Sequence, residues 1–385
     1  MDEIAGEAFS AMLENGRIPS PPDPAGTVRR ILERKRDYGI TRLGSVTELD
    51  WIGIPVVQVV RPRSLSVAVS QGKGLTVPLA AISGLMESLE GWASERIDPA
   101  RVFEGTLGGL DPQGFWTHLQ GTKDTALSWI NGVDLFSGQA MPVPLGLADS
   151  AYTFPSPHPA WMPRDTTGLA AGTSLEGAVA HACLECLERH ARCEAMATPH
   201  FFDRYQVDAR SVQAGKASEV LRRLSGTGFI IGIWKIPAPH DLPVYWCHVM
   251  EDAGRAPFAP LPAEGFGCAL TDDAALTSAL LEACQSRLGV ISAARDDISA
   301  ELYRYPDESE LREWRAQLSR GGSAFAETGR PEQDRPLRRI GRALRHAGAR
   351  AAILVSLHAD ETIPLHVVRV ITPPLQTNPE ADVGR

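Results

Sequence analysis

The sequence has little cysteine, no long apolar run and no excess of positive charge. Six cysteines in 385 residues are too few for a disulfide framework, which predicts a reducing, cytoplasmic environment. The apolar stretches, such as residues 353–357, are far shorter than the roughly 20 residues of a membrane helix. Basic residues number 38 and acidic residues 47, for a net charge of −9. This balance disfavours nucleic acids and membrane surfaces as partners.

The remaining composition is that of an ordinary folded protein. A hydrophobic content of 43% is enough for a sizeable core. Residues 1 to 27 are rich in proline and small polar residues, and the tail from Thr372 is similar. Between these ends no linker is long enough to separate two halves. The sequence therefore predicts an N-terminal extension over residues 1–40, one domain over 41–371 and a C-terminal tail over 372–385.

Short segments rich in valine and isoleucine predict strands, and longer segments between them predict helices. The predicted strands cover residues 54–60, 65–69, 229–236, 244–250, 352–357 and 365–371. Pro78 predicts the first turn of a helix that ends near Glu95. Thr173 is predicted to cap a second helix that ends near Cys193, and Thr271 to cap a third that ends near Arg287.

The three helices share one pattern of polar residues. Each has a polar residue, a glutamate four positions later and a second Glu or Gln three positions after that. Since a helix turns about 100° per residue, these three positions lie on one face. The three stripes are Ser83, Glu87 and Glu90; His181, Glu185 and Glu188; and Ser278, Glu282 and Gln285. A solvated surface explains any one stripe, but three copies with the same spacing indicate a function.

Carboxylates on one helix face repel each other unless they share a cation. Hard oxygen ligands at this density suit Mg²⁺, above all Mg²⁺ shared with the phosphates of a nucleotide. Gly72-Lys73-Gly74, just before the first helix, adds glycines that let the backbone approach a ligand and a lysine for phosphate. Arg192 lies on the same face as Glu185 and Glu188, and it either binds phosphate or pairs with Glu188. The pattern therefore predicts a Mg-nucleotide site.

Two other patterns in the second helix suggest different chemistry. Cys183, Cys186 and Cys193 could form a metal or cluster site, or carry sulfur. They share the side of the helix that faces away from the glutamates, so we expect buried packing thiols instead. His181 and Glu185 form half of a zinc site, but no second histidine follows at helical spacing. Packing thiols and a glutamate stripe are the favoured interpretations.

These residues resemble the YcaO family, ATP-using enzymes that activate peptide-backbone amides. The resemblance covers roughly residues 41 to 371 and rests on the three stripes, with Arg192 and Arg287 as further motif positions. The chain is most similar to the branch that acts with a TfuA protein in thioamide formation, through Gly72-Lys73-Gly74 and the run Arg295-Asp296-Asp297. It differs from the family pattern at Thr173, where an asparagine is common, and at His190, where an aspartate is common.

The resemblance implies an α+β fold, a single domain with mixed or antiparallel sheets and helices that line a Mg-ATP site. It implies ATP and Mg²⁺ as cofactors and a precursor peptide and a TfuA-like protein as partners, with a homodimer left open. The implied metal ligands are Glu87, Glu90, Glu185, Glu188 and Glu282. The implied nucleotide-binding residues are Lys73, Ser83, Glu185, Arg192 and Gln285. The implied catalytic residues are Glu87, Glu188 and Arg287.

The implied reaction is phosphorylation of an amide oxygen by ATP after a nucleophile has added to the carbonyl carbon, which turns the oxygen into a good leaving group. A sulfide donor gives a thioamide, a neighbouring Cys, Ser or Thr side chain gives an azoline, and an amine gives an amidine. We expect thioamide formation in a ribosomally made peptide. The alternatives are an azoline- or amidine-forming cyclodehydratase and a non-catalytic nucleotide-binding scaffold.

Overall fold

Three antiparallel sheets form the frame of the computed structural model, which describes residues 11–14, 16–19, 23–111, 113–253, 259, 261–295, 298, 300–304, 306–327, 335–360 and 362–377. The first sheet has the order β1 (Arg42–Ser45), β2 (Val56–Val60), β3 (Val69–Lys73). The second has the order β11 (Ala263–Cys268), β10 (Val244–Glu251), β9 (Phe229–Ile236), β8 (Gln206–Val207). The third has the order β4 (Val102–Thr106), β5 (Ala126–Asp134), β12 (Ile353–Asp360), β13 (Leu365–Ile371), β7 (Leu169–Gly172), with β6 (Ala140–Pro144) paired to β5.

Helices of ten or more residues pack on these sheets. Within the described ranges they are α1 (Pro24–Glu33), α2 (Val77–Ser94), α3 (Leu175–Ala197), α4 (Gly215–Gly226), α5 (Asp272–Ser292), α6 (Glu308–Leu318) and α7 (Pro336–His346). Three of them follow a strand directly and begin at a hydroxyl cap: Thr76 for α2, Ser174 for α3 and Thr271 for α5. Each cap accepts the backbone N–H three residues later. We call β3–α2, β7–α3 and β11–α5 the first, second and third strand–helix units.

Glycines let the strand and helix of each unit touch backbone to backbone. A Cβ added to Gly72 of β3 would lie 2.0 Å from the backbone N of Gly84 in α2, and one added to Gly265 of β11 would lie 2.3 Å from the backbone O of Ala279 in α5. The last residue of β7 is in similar contact with α3. These contacts correct the prediction for Gly72-Lys73-Gly74, because its glycines face α2 rather than a ligand.

The structure confirms the predicted mixture of helices and antiparallel sheets. The predictions at 229–236 and 365–371 match β9 and β13 at both ends, and those near β2, β10 and β12 are right to within three residues. The strand predicted at 65–69 is wrong, because the strand in this part of the chain is β3, which begins only at Val69. The preceding turn is held by Glu95, which accepts from the Ser66 hydroxyl and pairs with Arg61 at 3.0 Å. The cap of α3 is Ser174 rather than Thr173.

Described residues of both the N-terminal extension and the C-terminal tail make contacts with the predicted domain. Helix α1 begins inside the predicted N-terminal extension, because Asp23 caps it and Pro24 suits its first turn. Ile31 of α1 is buried in the core formed with α2 and β13. At the other end, the backbone N–H of Gln376 donates to Nδ1 of His190 at 3.2 Å, while residues 378–385 lie outside the described residues. The domain boundaries stay a prediction. Across the described ranges no helix is both long and apolar enough to span a bilayer.

Candidate functional site

The three stripes line one cavity of about 1190 Å³ between α2, α3 and α5. All nine stripe residues border it, together with Lys73, Arg189 and Arg295. Because the three helices begin with similar caps and carry their stripes at similar distances from those caps, the stripes reach the cavity at a similar level. The structure therefore brings together the residues that the sequence grouped by spacing alone.

The middle glutamate of each stripe is fixed by a backbone N–H in its own strand–helix unit. Glu87 accepts from Gln71 at 3.3 Å, which lies 16 residues earlier in the chain. Glu282 accepts from Phe266 at 3.3 Å, also 16 residues earlier. Glu185 accepts from Gly168 at 3.0 Å, 17 residues earlier and just before β7. The close strand–helix contact thus lets each carboxylate reach the neighbouring backbone, so its position is set before any ligand binds.

The last glutamate of a stripe reaches the strand of the next unit. Glu90 of the first unit accepts from Ala171 N–H in β7 at 2.8 Å, and Glu188 of the second unit accepts from Cys268 N–H in β11 at 3.1 Å. The third unit has the neutral Gln285 at this position. The carboxylates therefore tie the first unit to the second and the second to the third, around the shared cavity.

Three cationic side chains lie among the five carboxylates. Lys73 Nζ is 2.7 Å from Glu282, and Arg295 is 3.7 Å from Glu87. Arg189 lies 3.6 Å from Glu185 and 4.0 Å from Glu188. The fully ionised set therefore has a formal charge of −2, which one divalent cation would neutralise. Arg189 was not among the predicted site residues, although its i, i+4 spacing from Glu185 was a signal that could have identified it.

Three of the carboxylates, Glu87, Glu90 and Glu188, lie in an environment that disfavours their charged forms. Burial raises the pKa of Glu87, of Glu90 and of Glu188, and neighbouring carboxylates add to the effect. Burial alone would also raise the pKa of Glu282, but Lys73 and Arg189 outweigh it and the pKa is lowered. Burial would lower the pKa of Lys73, yet Glu282 and the other carboxylates raise it. A bound cation would relieve this strain.

The donor set fits Mg²⁺ that is shared with phosphate. Within the described ranges, no three His, Cys, Asp or Glu side chains are close enough together to hold a metal ion by themselves. Mg²⁺ commonly takes one or two carboxylates, with phosphate oxygens and water completing its shell. The predicted metal ligands Glu87, Glu90, Glu185, Glu188 and Glu282 supply such oxygens. His181, which also borders the cavity, has no third protein ligand for zinc in the described chain.

Arg192 lies on the predicted helix face but beyond the cavity. Its guanidinium is 3.6 Å from Glu264 and 4.7 Å from the ring centre of Phe266, and it does not pair with Glu188. It is one helical turn further along α3 than Glu188, or about 6 Å at a rise of 1.5 Å per residue. Arg189, rather than Arg192, therefore lies beside Glu185 and Glu188 in the structure.

Arg287 is buried in a network of its own. It borders the cavity, but its Nε lies 3.1 Å from Asp50 and its Nη2 lies 2.7 Å from Glu251. All three side chains are 1% exposed. Arg287 is therefore part of a buried ion-pair network at the border of the cavity, and its catalytic role stays a prediction. Asp296 and Asp297, from the motif that begins at Arg295, lie outside the described residues.

The cysteines of α3 pack in the core. Cys183, Cys186 and Cys193 are at most 5% exposed, and the first two belong to the main cluster of apolar side chains. Burial raises the pKa of the Cys183 thiol and that of Cys186, which makes their reactive thiolate forms less accessible. The prediction of packing thiols is confirmed.

The protein is an α+β protein in which three helices with glutamate stripes line one cavity. Residues 71–376 match the family model described as YcaO cyclodehydratase, ATP- and Mg²⁺-binding. The chain belongs to the YcaO family. This confirms the predicted family and fold class, and it confirms ATP and Mg²⁺ as the cofactors of the family.

Relatives and solved structures agree with this membership. An uncharacterised protein of Mycobacterium tuberculosis is 33% identical over 275 residues, which cover 69% of this chain and 60% of that protein. An uncharacterised protein of Rhizobium leguminosarum bv. trifolii, named for its place in the tfuA 3′ region, is 28% identical over 92% of this chain and 88% of its own. The structure of YcaO from Methanopyrus kandleri bound with AMPPCP and Mg²⁺ has a TM-score of 0.69 and 22% identity, covering 94% of each chain. The chain thus spans only three fifths of the M. tuberculosis relative.

Proposed function

We propose that this protein uses ATP and Mg²⁺ to phosphorylate a peptide-backbone amide and, with a TfuA-like partner, converts that amide into a thioamide in a ribosomally made peptide. The observation that supports it best is the ring of five carboxylates, each fixed by a backbone N–H in a strand or just before one, with Lys73, Arg189 and Arg295 among them. Such a ring suits a polyphosphate held through a metal, with cations for the charge that develops on transfer.

The reaction needs no covalent enzyme intermediate. The sulfur of a hydrosulfide donor bonds to the carbonyl carbon, the carbonyl electrons move to the oxygen, and the oxygen takes the γ-phosphoryl group while ADP leaves. The C–O bond then breaks, a C=S bond forms, and the sulfur proton leaves with the phosphate. Bound Mg²⁺ supplies neutralisation of phosphate charge. In this proposal each Mg²⁺ would be held by one or two carboxylates from the set Glu87, Glu90, Glu185, Glu188 and Glu282, with phosphate oxygens and water completing its shell. Lys73, Ser83 and Gln285 would contact the nucleotide.

The thioamide product and the partner rest on a smaller observation. The R. leguminosarum relative is named for its position beside tfuA, and it is similar to this chain over nearly its whole length. A precursor peptide is the substrate in this proposal, and the TfuA-like protein supports sulfur delivery. A homodimer and a cytoplasmic location stay predictions from the sequence.

Reconstitution tests this proposal. Purified protein is incubated with ATP, Mg²⁺, sulfide, the TfuA-like partner and the peptide encoded beside it, and the peptide is analysed by mass spectrometry. The expected product gains the mass of sulfur minus that of oxygen at each modified amide, with one ADP formed per event. ADP formation without any peptide modification would contradict the proposal, and ATP binding with no turnover would support a nucleotide-binding scaffold.

A cyclodehydratase activity is the second candidate, favoured by the description of the family itself. The same phosphorylated oxygen would leave after attack by a neighbouring Cys, Ser or Thr side chain, giving an azoline. The peptide would then lose the mass of one water per ring, with or without sulfide. Omitting sulfide from the reconstitution therefore separates the two products in one experiment.

Lys73→Met should weaken Mg-ATP binding about 10- to 100-fold, the range expected for losing a hydrogen bond to a charged group. Lys73 is the cation in direct contact with Glu282, and in the proposal it also meets phosphate. Isothermal titration calorimetry with Mg-AMPPCP measures the effect. Lys216→Met, at an exposed position of α4, is the control and should bind as the wild type does. An unchanged Kd for Lys73→Met would remove Lys73 from the nucleotide site.

A further inference from the structure

The cavity has a second end that differs in chemistry from the carboxylate ring. This end is bordered by Leu261, Pro262, Phe266 and Trp314, with His248 and Glu264 as its polar residues. A volume of about 1190 Å³ exceeds the roughly 300–1,000 Å³ of a site for one small ligand. The cavity thus has room for a second reactant beside the nucleotide, against an apolar wall.

The outer edge of β11 runs along this cavity. In the described part of the chain, β11 pairs with β10 on one side and with no strand on the other. The N–H groups of Phe266 and Cys268 donate to Glu282 and Glu188, so alternate residues of β11 direct their backbone groups away from β10. By this alternation the N–H and C=O of Glu264 also point outward.

The Glu264 backbone differs from the other two outward positions. Within the described ranges, no side-chain or loop acceptor meets its N–H. Its own carboxylate is turned aside, because it accepts from Trp246 Nε1 at 3.1 Å and lies 3.6 Å from Arg192. Next to it, His248 is 6% exposed, with Nε2 3.7 Å from the Glu264 carboxylate and with no hydrogen-bond partner at Nδ1 among the described residues. This end of the cavity therefore has polar groups to offer a ligand.

We infer that the substrate peptide docks as an added strand on the outer edge of β11, where the backbone N–H of Glu264 donates to a carbonyl of the peptide. This inference rests on the proposed function. An extended backbone is the ligand that complements an unpaired strand edge, and the apolar wall at Leu261 and Trp314 suits the flanking side chains. The carboxylate of Glu264 is not the docking group in this arrangement.

The same edge leads the peptide to the site of phosphoryl transfer. Residues 264 and 266 are about 7 Å apart along β11, since a strand rises about 3.4 Å per residue. Phe266 is the residue that fixes Glu282, so a peptide amide held at Glu264 lies one strand repeat from the carboxylate ring.

A proline substitution separates the backbone donor from the side chain. Glu264→Pro removes the N–H and the carboxylate, whereas Glu264→Ala removes the carboxylate alone. Proline is tolerated on an edge strand where the N–H faces outward, so β11 should remain paired with β10. We expect Glu264→Pro to bind the peptide at least about tenfold more weakly than Glu264→Ala, because one hydrogen bond is lost and the proline ring blocks the edge. Both variants should bind Mg-ATP as the wild type does.

The probe is a fluorescently labelled form of the precursor peptide used in the reconstitution, and its binding is measured by fluorescence anisotropy. Equal peptide affinity in the two variants overturns the docking inference while leaving the proposed function intact. A wild-type protein that neither binds nor modifies the precursor contradicts both. If Glu264→Pro does not fold, hydrogen exchange of the wild-type protein decides: the amides of residues 263–265 should exchange more slowly with peptide bound, and unchanged exchange overturns the inference.

Discussion

Glu188→Gln should lower Mg-ATP-dependent turnover about 10²- to 10³-fold, the usual cost of removing one preorganised group that stabilises developing charge. The same substitution should stabilise the ligand-free protein. Glutamine keeps an oxygen that can accept the Cys268 N–H, which lies 3.1 Å from Glu188. It removes a carboxylate that is 13% exposed and whose pKa is raised by burial and by Glu282. We expect a gain of about 1 kcal/mol, as found when strained active-site groups are replaced.

The stabilisation should depend on pH in a defined direction. The native state holds the Glu188 proton at pH values where the unfolded chain, with a pKa near 4.5, has released it. As pH rises above 4.5, ionisation of Glu188 therefore lowers the free energy of unfolding of the wild type. The variant does not have this loss, because its glutamine has no proton to lose. The difference in Tm, variant minus wild type, should grow as pH increases from 4.5. Burial also lowers the pKa of His181, but His181 is present in both proteins. Its contribution to the pH dependence therefore cancels when one Tm is subtracted from the other.

These effects are measured on metal-free protein by differential scanning fluorimetry, and turnover is measured by ADP release. Glu194→Gln is the matched control, because it lies on the same helix, is 46% exposed and faces His190 rather than the cavity. It should leave both turnover and Tm close to the wild type. A Glu188→Gln variant that is less stable than the wild type at pH 8 would show that the carboxylate ring is not strained without metal.

The stripes could be predicted because helical phase is a local property of the sequence. The positions of Glu87, Glu185 and Glu282 relative to their neighbours follow from 3.6 residues per turn, whatever the helices pack against. Thr271 was identified as a cap for the same reason. What the sequence did not reveal is that Glu90 and Glu188 reach the strand of the following unit, because such contacts depend on how the three units are arranged.

The strands that hold the glutamates were missed for a common physical reason. β3, β7 and β11 read VSQGK, LAAG and AEGFGC. They are poor in the branched and aromatic residues on which strand prediction depends. Small residues are needed there because the helix backbone lies against the strand, and polar residues are needed because the strand faces the cavity. Strand propensity therefore fails to predict these strands, because the contacts at the site require small and polar residues instead of strand-forming ones.

Arg287 lies on a different helix face from the other residues of its motif. It follows Gln285 by two positions, which on a helix is a rotation of about 200°, so its guanidinium cannot share the face of Glu282 and Gln285. In the structure its guanidinium lies between Asp50 and Glu251, at the border of the cavity. The sequence alone contained this information, because the rotation follows from spacing.

Arg287→Met should destabilise the fold by about 3–5 kcal/mol, the usual cost of removing one partner from a buried ion pair. Methionine fills much of the volume, but it removes the cation that pairs with Asp50 and with Glu251. Burial already raises the pKa of Asp50, and Arg287 is one of the groups that counter this rise. Urea unfolding followed by circular dichroism measures the loss. Adding Asp50→Asn to Arg287→Met should restore part of the stability, because it removes the buried Asp50 charge that Arg287 compensates in the wild type.

The expected loss is specific to the buried network. Arg320→Met is the control, since Arg320 and Asp203 form an ion pair in which both side chains are more than half exposed. Exposed pairs contribute about 1 kcal/mol or less, so this variant should unfold close to the wild type. Turnover per folded molecule of Arg287→Met, assayed at low temperature, should stay within a few-fold of the wild type. A variant with wild-type stability and no turnover would instead return Arg287 to the catalytic residues, because only contact with the reactants would then explain the loss.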